Sequence, residues 1–300
     1  MPHIQANGLQ LYYESHGPQD GEAILLIMGL GAQMTRWQPA FYGRLADAGY
    51  RVILFDNRDV GLSEKLDAAG VPDLSAVVAA LREGKAPPVA YTLDDMAADA
   101  AGLLEALEIE RAHIVGASMG GMIAQLVAAN HPERTLSLTS IMSTTGNPDL
   151  PRAKPEAMAF LSNRGPDPRE DLEGFLDNAV ASNKVMGSPG YPADESAVRA
   201  EAKANFERSF YPVGFSRHYA AITASPDRRP KLARLRVPTV VIHGEADALV
   251  PVEGGHDTAA NVPGAELLTL PGVGHDIPPG VHGEVVAAIL RNVERAKAPA

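Results

Sequence analysis

The chain has 300 residues, of which 45% are hydrophobic and 21% charged, the proportions of a folded globular protein. At ~150 residues per domain this length holds two domains, or one with a large insertion. Asp and Glu outnumber Lys and Arg, 37 to 26, for a net charge of −11. Such an acidic surface repels a phosphate backbone, so nucleic acid is not expected as a partner.

The elements follow in chain order. Alternating residues around Leu9, Leu11 and Tyr13, with Asn7-Gly8 as the turn, predict an antiparallel hairpin. Residues 23–28 are apolar without alternation, the pattern of a strand buried on both faces of a parallel sheet. The same pattern returns at 51–55, 113–115, 136–141, 239–242 and 266–270. Between these runs, Leu93, Met96, Ala97, Ala100, Leu103, Leu104 and Leu107 keep helical spacing, with Thr92 as the cap. Further helices are expected at 119–130, 252–261 and 281–296. This is the doubly wound α/β class: a mostly parallel central sheet with helices on both faces.

Residues 147–230 break the rhythm. They are rich in proline and charge and hold no strand-like run, yet carry eight of the sixteen aromatic residues. A polar linker would not hold that many. The expected organisation is an α/β core from residues 1–146 and 231–300, with 147–230 inserted as a helical cap.

There is no cysteine, which excludes disulfides, thiolate-held metals and a thiol nucleophile. The start of the chain lacks a basic and apolar leader, and the longest apolar stretch, 23–32, is about half a membrane span. A cytoplasmic monomer or homodimer is the expectation, with no membrane partner.

The chemistry gathers around Gly116-Ala117-Ser118-Met119-Gly120. A G-x-S-x-G pattern alone is weak, but here it ends a predicted strand and opens a predicted helix. That is the setting of a nucleophile elbow, where a sharp turn lifts the serine above the sheet. A serine hydroxyl needs a base, and the base an orienting carboxylate. Asp247 follows the 239–242 strand and His275 follows the 266–270 strand, in the order Ser, Asp, His. Of the other histidines, His3, His16 and His131 suit the surface or a helix end. His113 sits at the wrong end of its strand, His282 reads as a solvated helix cap, and His243 as support for the acid loop. Glu245 and Asp257 are less well placed than Asp247, and Asp276 adjoins the histidine too closely to face its ring. Two backbone N–H groups are needed for an oxyanion, and those of Met119 and Leu30 are expected to supply them. Trp37, beside that loop, and Phe210, Phe215 and His218 of the insertion are candidates to line a substrate pocket.

The segments LLIMGLGAQMTRW, FDNRDVGLSEK, HIVGASMGGMIAQ, VIHGEADALVP and LPGVGHDIP together resemble the α/β-hydrolase superfamily along nearly the whole chain. Met28 to Gly31, Asp56 to Ser63 and Gly274 to Pro278 resemble its serine carboxylesterase branch, which includes aclacinomycin methylesterase. The resemblance implies Ser118 as nucleophile, His275 as base and Asp247 as its orienter. One departure is Met28, where many relatives place a histidine before the oxyanion glycine. The Asp56 to Ser63 loop reads as structural, with Arg58 pinning it. Hydrolysis of small to medium uncharged esters is expected, with neither metal nor organic cofactor. C–C bond hydrolysis, lactonase or perhydrolase chemistry on the same residues, or non-catalytic binding of a small molecule, are the alternatives.

Overall fold

Asn7 and Gly8 both take positive φ, 47° and 78°. Two such residues in succession close a hairpin whose twist matches its strands. They join β1 (His3–Ala6) to β2 (Leu9–His16), with Ala6 opposite Leu9. The computed structural model describes residues 2–163 and 165–297.

After the hairpin come β3 (Ala23–Ile27), α1 (Pro39–Asp47), β4 (Arg51–Phe55), α2 (Leu74–Arg82), α3 (Leu93–Ala106), β5 (Ala112–Ala117), α4 (Met119–Asn130) and β6 (Thr135–Ile141). Between β6 and the next strand the described residues form helices only: α5 (Pro155–Ser162), α6 (Leu172–Met186), α7 (Glu195–Arg208), α8 (Pro212–Ala224) and α9 (Arg229–Leu232). The chain closes with β7 (Thr239–Gly244), α10 (Glu253–Asn261), β8 (Glu266–Leu270) and α11 (His282–Lys297). The eight strands form one sheet in the order β1-β2-β4-β3-β5-β6-β7-β8. From β4 to β8 every neighbouring pair is parallel, and β2 joins β4 antiparallel.

Every residue of β3, β5 and β7 is buried, as their unbroken apolar runs predict. The alternation of side chains along a strand divides them between two layers. Leu25 and Ile53 face α3 and α4, packing with Leu103, Leu104 and Ile123. Ile24 and Val52 face the other way, onto Phe41 and Leu45 of α1 and Val285 and Ile289 of α11. Thr92 caps α3 as expected, in a reciprocal capping box with Asp95.

Two expectations need correction. The 266–270 strand is not buried on both faces: β8 is the outermost strand, and Leu267 is 37% exposed. Helices α1 and α2 are additional to the expected elements; α2 was legible, since Leu74, Val77, Val78 and Leu81 keep helical spacing, whereas in α1 only Phe41 and Leu45 are buried. No helix among the described residues is long and apolar enough to cross a membrane.

The loop after β4 is held by buried charges. Arg58 grips Asp99 of α3 through Nε and Nη2, both at 2.6 Å, so it does pin the loop. Asp59 receives two bonds of 2.7 Å from Arg217 of α8, and Asp56 one of 2.7 Å from Arg208 of α7. Burial alone would raise the Asp59 carboxyl, but Arg217, the Leu66 N–H and the Tyr91 hydroxyl hold it below the usual range. Asp99→Ala would strand the Arg58 charge in the interior. The expected loss is about 3–5 kcal/mol in urea unfolding, whereas Arg58→Met with Asp99→Leu is expected to be far milder.

Candidate active site

The turn from β5 into α4 brings three backbones closer than side chains allow. A Cβ on Gly116 would lie 2.0 Å from the Gly120 carbonyl oxygen, and one on Gly120 would lie 2.1 Å from that of Ile27. One on Gly29 would lie 3.0 Å from the Ser118 Cβ. Glycine is the residue these crossings admit. Ser118 stands at the apex with φ 58° and ψ −123°, a strained conformation for a residue with a side chain. Its own backbone is fixed by Ser118 N–H to Ile141 O at 2.9 Å and by Ser143 Oγ to Ser118 O at 2.8 Å.

The loops after β7 and β8 meet this serine. His275 Nε2 lies 2.9 Å from Ser118 Oγ, and its Nδ1 lies 2.7 Å from Asp247 Oδ2. A carboxylate only accepts, so Nδ1 carries the hydrogen and Nε2 presents its lone pair to the serine hydroxyl. The other Asp247 oxygen, Oδ1, accepts from the N–H groups of Leu249 and Val250, each at 2.8 Å. Burial would push the Asp247 carboxyl up, but His275, His243 and the Val250 N–H outweigh it and hold the group well below the usual carboxylate range. These partners favour the ionised form of Asp247. His243 supports the acid loop as expected, with Nε2–H donating to Val250 O at 2.8 Å.

Glu245 and Asp257 are engaged elsewhere, by Thr269 at 2.9 Å and Thr145 at 2.5 Å. Asp276 turns from the imidazole and accepts from Ser188 Oγ. His282 is only 2% exposed, not solvated: its Nε2 donates to Ile277 O at 3.0 Å and its ring meets Phe41 edge-on. Among the described residues, the N–H groups of Leu30 and Met119 have no hydrogen-bond partner. No cluster of three or more His, Asp or Glu suited to a metal occurs among the described residues.

Ser118, His275, Leu30 and Met119 all line one cavity of about 960 Å³, together with Trp37 and Phe215. Phe210 and His218 do not. Phe210 packs into a cluster with Phe175 and Phe206, under the Arg169 guanidinium. His218 is completely buried, both ring nitrogens being bonded to loop backbone. The sequence reading missed Tyr219, Met186 and Asp276 in the wall. Tyr219 was legible, because it lies one helical turn after Phe215 and the two rings stack in α8. Met186 carried no such signal.

Residues 22–278 match the family model described as alpha/beta hydrolase fold. The chain belongs to that family. Among α/β-hydrolase relatives, it is 28% identical over 312 residues to rhodomycin D methylesterase DnrP from Streptomyces peucetius, covering 98% of both chains. It is 30% identical over 278 residues to a 2-hydroxy-6-oxononadienedioate/2-hydroxy-6-oxononatrienedioate hydrolase from Burkholderia vietnamiensis, covering 89% of this chain and 85% of that one. The solved meta-cleavage product hydrolase of Pseudomonas fluorescens has a TM-score of 0.72 at 21% identity, over 98% and 96% of the two chains, a likeness of fold alone.

The elbow carries its own test within this α/β hydrolase. A methyl at Gly120 would press on the backbone of Ile27 and Met28 at the end of β3. Gly120→Ala is expected to cost about 1–3 kcal/mol in denaturant unfolding. Gly43→Ala, where a Cβ meets nothing within 4 Å, provides the unstrained control.

Proposed function

We propose that the protein hydrolyses uncharged carboxylic esters through an acyl-enzyme on Ser118. The observation that carries this reading is the unbroken run of hydrogen bonds from Ser118 through His275 to Asp247, opening into a cavity beside two unpartnered N–H groups. His275 Nε2 takes the serine proton as Oγ attacks the ester carbonyl. The developing oxyanion is received by the N–H groups of Leu30 and Met119, the latter also at the positive end of α4. Collapse of this intermediate breaks the C–O bond, and imidazolium Nε2–H delivers its proton to the leaving alkoxide. Water then enters, loses a proton to His275 and attacks the acyl carbon, releasing the acid and restoring Ser118. Asp247 keeps the ring in its Nδ1–H tautomer and offsets the imidazolium charge.

The substrate class follows from the wall. Met28, Met119, Met142, Met186 and Phe215 make it apolar, while a volume of about 960 Å³ admits an ester of medium size. Arg36 is the one Lys or Arg among the described lining residues, and Glu201 already pairs with it. Asp194 and Asp276 add two carboxyl groups, with the pKa of Asp276 raised by burial. This balance disfavours anionic substrates. It therefore favours the methylesterase likeness over that to the dioate hydrolase, whose named substrates are dicarboxylates. Residues 147–230, with helices α5 to α8 and the start of α9, form the cap of the site in this reading.

Purified protein and Ser118→Ala, compared on p-nitrophenyl acetate and butyrate, give the direct measurement. The variant is expected to lose roughly 10⁴-fold or more in kcat while remaining folded. Equal rates in both proteins would rule the serine out. The butyrate ester is also expected to exceed the negatively charged p-nitrophenyl hemiglutarate in kcat/KM; the reverse order would sink the substrate class.

A further inference from the structure

Helix α8 holds a histidine that the chemistry above leaves unused. His218 Nδ1 accepts from the N–H of Gly31 at 3.2 Å, and Nε2 lies 2.8 Å from the carbonyl oxygen of Arg58. A carbonyl oxygen cannot donate, so Nε2 carries the hydrogen and Nδ1 the lone pair. Each nitrogen of a neutral ring then has the one partner it needs. Burial favours that neutral form, pushing the ring's pKa down to about 4. The ring therefore holds this arrangement through neutral pH. Tyr91 packs edge-on against it at 6.2 Å.

The loop on which His218 acts is the one that carries Leu30. Ala32 N–H closes a four-residue turn onto Gly29 O at 3.2 Å, and Gly31 has φ 62° in its third position. A positive φ there belongs to the type II turn, which differs from type I by a flip of the central peptide. That central peptide joins Leu30 to Gly31, and its N–H is the group bound by His218. The same helix face braces the rest of the contact. Phe215 occupies the space a Cβ on Gly31 would need, with 2.6 Å to its ring, and Gly214 lies against Asp59. Arg217 grips the Asp59 carboxylate beside the Arg58 carbonyl.

We propose that His218 is a positioning residue: by holding the Gly31 N–H it anchors the whole turn from Gly29 to Ala32 against α8, and so fixes where the preceding Gly29–Leu30 peptide presents the Leu30 N–H to the oxyanion. The inference rests on the reading of Ser118 and Leu30 given above. His218 is outside the cavity wall and acts on the reaction only through the loop it holds.

Three substitutions separate its two bonds. His218→Asn keeps an acceptor where Nδ1 stands, His218→Gln keeps a donor where Nε2 stands, and His218→Leu keeps neither. For Leu and Gln, kcat is expected to fall about 10- to 100-fold, short of or equal to the loss of an oxyanion donor, with KM nearly unchanged. Asn is expected to recover most of kcat. A trifluoromethyl ketone, whose adduct with Ser118 places an oxyanion in the hole, is expected to lose affinity in proportion to kcat/KM. Wild-type kcat in folded His218→Leu, or a kcat loss with unchanged ketone affinity, would overturn the proposal. So would a ¹⁵N spectrum of the unmodified protein showing His218 protonated at Nδ1, a reading that needs no variant to fold. Activity surviving in Ser118→Ala would instead bring down the serine reading itself. An inactive Ser118→Ala beside an unimpaired His218→Leu would bring down this inference alone.

Discussion

The site depends on one crowded crossing, where the end of β5, the start of α4 and the end of β3 approach within side-chain distance. Gly116, Gly120 and Gly29 make that approach possible, and Ser118 takes the strained φ left at its apex. The strand order then supplies the rest. Because β3 lies beside β5, the loop bearing Leu30 falls next to the elbow. Because β6, β7 and β8 continue the parallel sheet from β5, their C-terminal loops open on the same edge, and those after β7 and β8 deliver Asp247 and His275. Parallel strands put all their C-terminal ends together, so residues 157 positions apart reach 2.9 Å without any long loop.

That logic explains which features were legible. A strand buried on both faces must be apolar throughout, so β3, β5 and β7 announced themselves, and with them the positions just beyond their ends. The three residues of the hydrogen-bonded run were legible for the same reason: each has the right type at a strand end. Apolar content did not reveal depth, however. The run in β8 matches that of a central strand, yet nothing in Leu267 or Leu268 tells whether another strand lies beyond. His218, His282 and Phe210 failed likewise, since what surrounds a helical side chain depends on partners far away in sequence. The Arg58 carbonyl is 160 positions from His218.

The Asp56 to Ser63 loop shows the same division. It was expected to be structural with Arg58 pinning it, and Arg58 does hold it through Asp99. The cations that neutralise Asp56 and Asp59 come from α7 and α8, and no local pattern pointed to them. Burying such pairs costs desolvation, and their net contribution to stability is small compared with the damage done by removing one member. Their consequence here is geometric. Bidentate Arg217 fixes α8 on the loop after β4 in both distance and angle, and the hydrogen bonds of His218 fall on that same helix.

The helices between β6 and β7 thus touch the site from two sides. At one side α8 meets the turn of Leu30. At the other, the end of α6 and the residues after it meet the loop of His275. The His275 N–H donates to Met186 O at 2.6 Å, the Gly274 N–H to Ser188 Oγ at 2.9 Å, and the Gly190 N–H to Gly272 O at 2.8 Å. A Cβ on Gly274 would lie 2.1 Å from the Gly187 carbonyl oxygen, so the two backbones are in direct contact. Lifting these helices as one body would break the bonds to His275 and to Gly31 together. The helices between β6 and β7 therefore hold the His275 loop and the Leu30–Gly31 turn in register with each other. Their position and the geometry around Ser118 are one structural variable.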